Sequence, residues 1–125
     1  MGREPGIAFR VWGSRGSIFA GGADHETFGG DTTCFSIESA GRFVVVDAGS
    51  GLRALGQELM ARKEGPPAEI DLLLTHLHID HICGLPFFAP LLTGVTTVRL
   101  WNSVYPSADA LRGALSRGLA PPIFP

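Results

Sequence analysis

The sequence predicts an α/β layered domain, with strands and helices alternating along the chain. Three observations support this. Apolar runs of strand length end in Gly or Pro punctuation, three segments read as helices, and 45% of the 125 residues are hydrophobic. The length falls in the usual single-domain range and is enough to bury a core.

Taken in order, Ile7 to Trp12 alternates bulky apolar with smaller or polar residues, as a half-buried strand does. A glycine-rich stretch from Gly13 to Gly30 follows. It reads equally as a loop that lets backbone approach something closely and as a flexible connector. Thr33 to Glu38 and Arg42 to Val46 are expected to be strands joined by a tight turn at Ala40 and Gly41. The second ends in Val44-Val45-Val46, read as a buried run, and then delivers Asp47. Leu52, Leu55, Leu59 and Met60 recur at helical spacing between Leu52 and Lys63, with Gly65 as the stop before Pro66 and Pro67. Glu69 to Thr75 contains Leu72, Leu73 and Leu74 in succession, the pattern of a strand buried on both faces. Pro86 is expected to start a short helix through Leu92. Thr96 to Trp101 reads as a further strand, and Ser107 to Arg117 as a capped helix closed by Gly118.

Bulk properties exclude several classes. Net charge is −2 with no block of lysine and arginine, so nothing argues for nucleic-acid binding through a broad basic face, although a nucleic acid stays open as a substrate. The two cysteines, Cys34 and Cys83, make no disulfide framework, which fits a reducing, cytoplasmic setting. The opening MGREPG is polar, no apolar stretch reaches membrane-spanning length, and Gly2 begins no myristoylation signal.

Chemistry concentrates in T-H-L-H-I-D-H-I-C-G, from Thr75 to Gly84. Three of the four histidines fall between His76 and His81, together with Asp80. Imidazole and carboxylate are ordinary ligands for zinc and other borderline metals. His76 and His78, two residues apart on an extended segment, point to one side and can grip one ion. Asp80 and His81 would project from the first turn of a following helix and serve a second. Paired ions of this kind share a bridging hydroxide that attacks at neutral pH. Asp47 has two level readings, an aspartate that orients a ligand histidine and an ordinary cap for the Leu52 helix. His25 reads as solvent-exposed, Cys83 as a small packing residue, and Phe87 and Phe88 as core or pocket wall.

The run H-L-H-I-D-H resembles the H-x-H-x-D-H signature of the metallo-β-lactamase superfamily. W-G-S-R-G-S-I near residue 12, G-G-D-T-T-C near 30, V-V-V-D-A-G-S-G-L-R near 45 and D-H-I-C-G-L-P-F-F near 80 resemble one branch of it. That branch comprises hydrolases related to ribonuclease Z and to phosphonate-pathway cyclic phosphodiesterases. The resemblance implies the N-terminal half of a four-layer αβ/βα sandwich, with metals at one edge. It implies His76 and His78 on a first zinc, Asp80 and His81 on a second, and Asp47 as the strand-end aspartate supporting the histidine shell. Mn2+ and Fe2+ are the alternatives to Zn2+. Asp80 could also take up a proton. Asp31 stands where the family pattern leads one to expect asparagine.

The resemblance also implies missing parts. Family members complete the site with a further histidine, a bridging aspartate and a last histidine, all downstream. Here no histidine follows His81, and the only later carboxylate is Asp109. Two protein ligands per ion fall short of the three of a catalytic zinc. Residues 1–125 are therefore expected to be one partial domain of a longer zinc-dependent hydrolase, with the inner sheet face exposed. Its expected substrate is a phosphodiester or related ester, small or nucleotide-type, with no membrane partner. The alternative is a non-catalytic metal-binding module completed by a partner chain or a homodimer.

Overall fold

The computed structural model describes residues 6–124. The sequence readings that fall on residues 1–5, and Pro125, lie outside the described residues. Five strands form one sheet in sequence order: β1 (Ala8–Gly13), β2 (Cys34–Ser39), β3 (Arg42–Val46), β4 (Glu69–Leu74) and β5 (Thr97–Asn102). β1, β2 and β3 are antiparallel neighbours, and β3, β4 and β5 are parallel. The parallel steps need crossovers. These contain α1 (Gly51–Ala61), then α2 (Ile79–Ile82) and α3 (Ala89–Leu92), with α4 (Ala108–Leu119) after β5. The α/β expectation therefore holds. Among the described residues no helix is long and apolar enough to cross a membrane.

The β2–β3 hairpin closes through Ala40 at φ 48° and Gly41 at φ 76°. Both central residues are left-handed, the turn geometry whose twist suits a two-residue hairpin. The glycine-rich stretch is a loop with one 3-10 turn at Ala23–His25. It includes a close approach, because a Cβ on Gly30 would overlap the carbonyl oxygen of Ala20.

The core forms on one face of the sheet. Leu52, Leu55 and Leu59 of α1 are fully buried against Phe43, Val45, Ile70, Leu72, Leu74 and Phe88. Burying such a side chain contributes roughly 1.5–3 kcal/mol. Leu115 and Leu119 of α4 pack on the same cluster.

The opposite face corrects the sequence reading. Val44 to Val46 and Leu72 to Leu74 look buried throughout, yet only Val45, Leu72 and Leu74 are, and Leu73 is 39% exposed. Side chains alternate across a strand, and only one face is covered within the described chain. The paired residues Val11, Phe35, Val46, Leu73 and Trp101 form a row across the open side.

Two helices also differ from expectation. The helix expected from Pro86 to Leu92 is broken into a 3-10 turn, Leu85–Phe87, and the single turn α3, because Phe88 is extended at φ −84°, ψ 94°. Pro90 has no N–H for the carbonyl of Pro86, and its ring would clash there, so a continuous helix cannot form. Ser107 caps α4 as expected, its Oγ accepting from the Ala110 amide at 3.2 Å. Gly118, however, lies inside α4, which ends at Leu119. Ala120 is extended because it precedes Pro121, and a residue before proline avoids the helical region.

Candidate metal centre

β3 and β4 run side by side with Val46 opposite Leu73. Their C-terminal ends thus carry Asp47 and Thr75 to His78 to one rim. In open α/β sheets this is where ligands bind.

Asp47 is 2% exposed and sits at φ 60°, a left-handed conformation that Asp tolerates better than most residues. Its Oδ1 accepts from the Thr75 amide at 2.8 Å. The Thr75 hydroxyl lies 3.0 Å from Oδ1 and 2.9 Å from Oδ2. His81 Nδ1 is 2.8 Å from Oδ2. The hydrogen bonds of this carboxylate among the described residues thus go to Thr75 and His81, not to the first turn of α1. With Nδ1 donating to Asp47, His81 keeps Nε2 for a ligand.

The chain bends at Thr75 after β4; His78 is extended, at φ −63°, ψ 149°, and α2 begins at Ile79. His76 and His78 ring centroids are 4.4 Å apart, and those of His76 and His81 are 4.1 Å apart. Asp80 joins from the first turn of α2, with Oδ2 lying 3.5 Å from His81 Nε2. The Ser17 amide donates to the same oxygen at 2.8 Å. That bond is the main reason the Asp80 carboxyl is held below the usual carboxylate range, against the opposing effect of burial.

α2 is strapped to the turn after β3. The Ala48 amide donates to the His81 carbonyl at 2.8 Å, and the Gly84 amide to the Ala48 carbonyl at 2.8 Å. Gly84 permits this contact. A Cβ there would overlap the Gly49 carbonyl oxygen and stand 2.9 Å from Leu52 Cβ.

The structure thus brings His76, His78, Asp80, His81 and Asp47 together. Ser17 and Thr75 also belong to the rim and carried no signal in the sequence reading, although Thr75 directly precedes His76. His25 lines a separate surface cleft with Arg15 and Phe28 and is half-buried rather than fully exposed. Cys83 is half-buried, its Sγ 3.7 Å from Thr32 Oγ1. Cys34 is buried, and burial pushes its thiol far above the ordinary range. Phe88 is core, whereas Phe87 lines an open groove with Phe19 and Arg53. Asp31 anchors the loop, with Oδ1 accepting from Ser50 Oγ at 2.7 Å and its carbonyl accepting from the Ser14 and Arg15 amides.

In kind, three imidazoles and a carboxylate suit a divalent ion. In number they fall short. Among the described residues no three or more His, Cys, Asp and Glu side chains are arranged to hold one ion on their own. The donors lie side by side at the rim but do not make a complete site among the described residues.

Residues 27–121 match the profile described as the metallo-beta-lactamase superfamily. No curated protein sequence matches the chain. Among solved structures, the chain is similar to a diphosphatase from the PhnP family, at 20% identity and a TM-score of 0.52. The match covers 89% of this chain and 45% of that one. It is also similar to a candidate metallo-beta-lactamase from Thermotoga maritima, at 19% identity and a TM-score of 0.44, over 83% of this chain and 63% of that one. The chain spans less than half the length of the diphosphatase it matches.

Proposed function

The chain belongs to the metallo-β-lactamase superfamily, and on that premise we propose that it is the zinc-binding part of a hydrolase acting on a phosphodiester or related ester. Superfamily members typically bind divalent metals. The observation that carries the reading is the rim itself, where one buried carboxylate, Asp47, holds His81 so that its free nitrogen lies beside Asp80.

In this reading His76 and His78 hold one ion, and Asp80 and His81 a second. Such ions supply Lewis acidity toward the ester and a water nucleophile near neutral pH. The chain's own residues do the positioning. Asp47 fixes the His81 ring and Ser17 fixes one oxygen of Asp80; Asp80 could also take up the proton that the attacking water loses. Paired donors need additional ligands, so the hydrolase is read as longer than residues 1–125. A phosphorus ester is the favoured class because the diphosphatase shares the fold. The substrate is small or nucleotide-type, RNA included, and two free cysteines support a cytoplasmic location.

The test is zinc content and turnover of a bis-aryl phosphodiester by the longest natural form of the protein. The reading expects bound zinc and zinc-dependent hydrolysis that His76→Ala and His78→Ala abolish. A preparation with neither zinc nor turnover contradicts it. One observation favours a second reading: the donor set is short and a sheet face is open. A metal-binding module completed by a partner or a second copy would bind zinc without turnover.

A further inference from the structure

We propose that Thr75 is a positioning residue that sets the tautomer of His76. One carboxylate, Asp47, then orients two imidazoles, His81 directly and His76 through the threonine hydroxyl.

A single hydroxyl proton links the three side chains. Thr75 Oγ1 lies 2.9 and 3.0 Å from the two oxygens of Asp47, and 3.0 Å from His76 Nδ1. A hydroxyl has one proton to donate and lone pairs with which to accept, whereas an ionised carboxylate only accepts. The Thr75 proton must therefore point at Asp47. Turned elsewhere, it would leave oxygen lone pairs facing one another at hydrogen-bond distance. Oγ1 is then left as an acceptor toward His76, so Nδ1 carries the proton. His76 Nε2 is consequently the nitrogen with the free lone pair.

The backbone makes the arrangement stiff. The Thr75 amide donates to Asp47 Oδ1 at 2.8 Å, so the residue that passes on the carboxylate's influence also anchors it. His81 Nδ1 occupies the other oxygen at 2.8 Å. Asp47, the buried end of the chain at 2% exposure, is where these hydrogen bonds reinforce one another most. A histidine without such a partner favours the proton on Nε2, the tautomer that would block that nitrogen as a ligand.

The consequence for metal binding rests on the proposed function, but the tautomer does not. The test is long-range 1H–15N NMR of the metal-free chain at about pH 8, above the ordinary histidine range. In the wild type, His76 is expected to carry its proton on Nδ1. Thr75→Ser, which keeps the hydroxyl, should retain that pattern. Thr75→Val, which keeps the shape and loses the hydroxyl, should move the proton to Nε2, while His81 stays protonated on Nδ1 throughout. Zinc affinity of Thr75→Val should fall on the order of 10–100-fold, the usual effect of losing a partner behind a ligand histidine. A wild-type His76 protonated on Nε2, or a Thr75→Val spectrum unchanged at His76, overturns the proposal. If Thr75→Val does not fold, the wild-type and Thr75→Ser spectra decide. The expected tautomers with no zinc uptake would sink the metal reading and leave the role of Thr75 standing.

Discussion

Asp47 Oδ2 and His81 Nδ1 stand 2.8 Å apart, joining the end of β3 to the first turn of α2 across 34 positions of sequence. The carboxylate is almost wholly buried, and no buried side-chain polar atom among the described residues lacks a hydrogen-bond partner. Asp47→Ala would remove the acceptor of the Thr75 amide and the His81 Nδ1–H, and that of the Thr75 hydroxyl, which solvent reaches. An unsatisfied buried group costs about 1–3 kcal/mol, so the variant should lose roughly 1–3 kcal/mol in urea denaturation. Asp47→Asn, which tolerates the same left-handed backbone, should lose less. An unchanged midpoint for Asp47→Ala would show that the network adds nothing to stability.

Backbone approach at Gly84 gives a second expectation. An added methyl would meet the Gly49 carbonyl oxygen and stand 3.0 Å from the Ala48 carbonyl oxygen, atoms that cannot swing aside. Gly84→Ala should therefore destabilise by roughly 1–3 kcal/mol, the usual effect of overpacking. Gly113, within α4, faces open space. Gly113→Ala should stabilise by up to about 1 kcal/mol through helix propensity alone. Thermal denaturation of both variants checks the contrast, and equal shifts would refute it.

On the open sheet face, Asp71 accepts hydrogen bonds from Arg99 at 2.9 and 3.2 Å and from the Trp101 indole at 2.9 Å. The Arg99 bonds chiefly hold its carboxyl below the usual range. A group with a depressed folded pKa adds stability above its unfolded pKa, and that stability is lost as pH falls through the folded pKa. Wild type should therefore exceed Asp71→Asn near neutrality, and the gap should close below about pH 4. Urea midpoints across that range decide it, since a gap independent of pH would mean that Asp71 acts through packing.

The sequence revealed the parts of the rim that are local and missed those that depend on folding. His76, His78, Asp80 and His81 lie within six residues, so their spacing alone placed them together. Thr75 and Ser17 were silent. Ser17 reaches Asp80 with a backbone amide across 63 positions, and amides carry no residue signature. The role of Thr75 depends on Asp47, 28 positions away. Burial was misread at Leu73 because an apolar run reports the environment a strand suits, whereas exposure depends on which layers are present. The Pro86 to Leu92 helix was overextended because Pro90 outweighed the helical tendency of its neighbours.

Calorimetric titration of zinc into the metal-free chain, wild type beside the His76→Ala/His78→Ala double variant, is the most direct measurement of whether this rim holds a divalent ion. The proposed function predicts saturable uptake by the wild type and an affinity lower by more than roughly tenfold in the variant, since even a partner behind a ligand histidine is worth about that much. No uptake by the wild type, or identical isotherms for the two proteins, would contradict it.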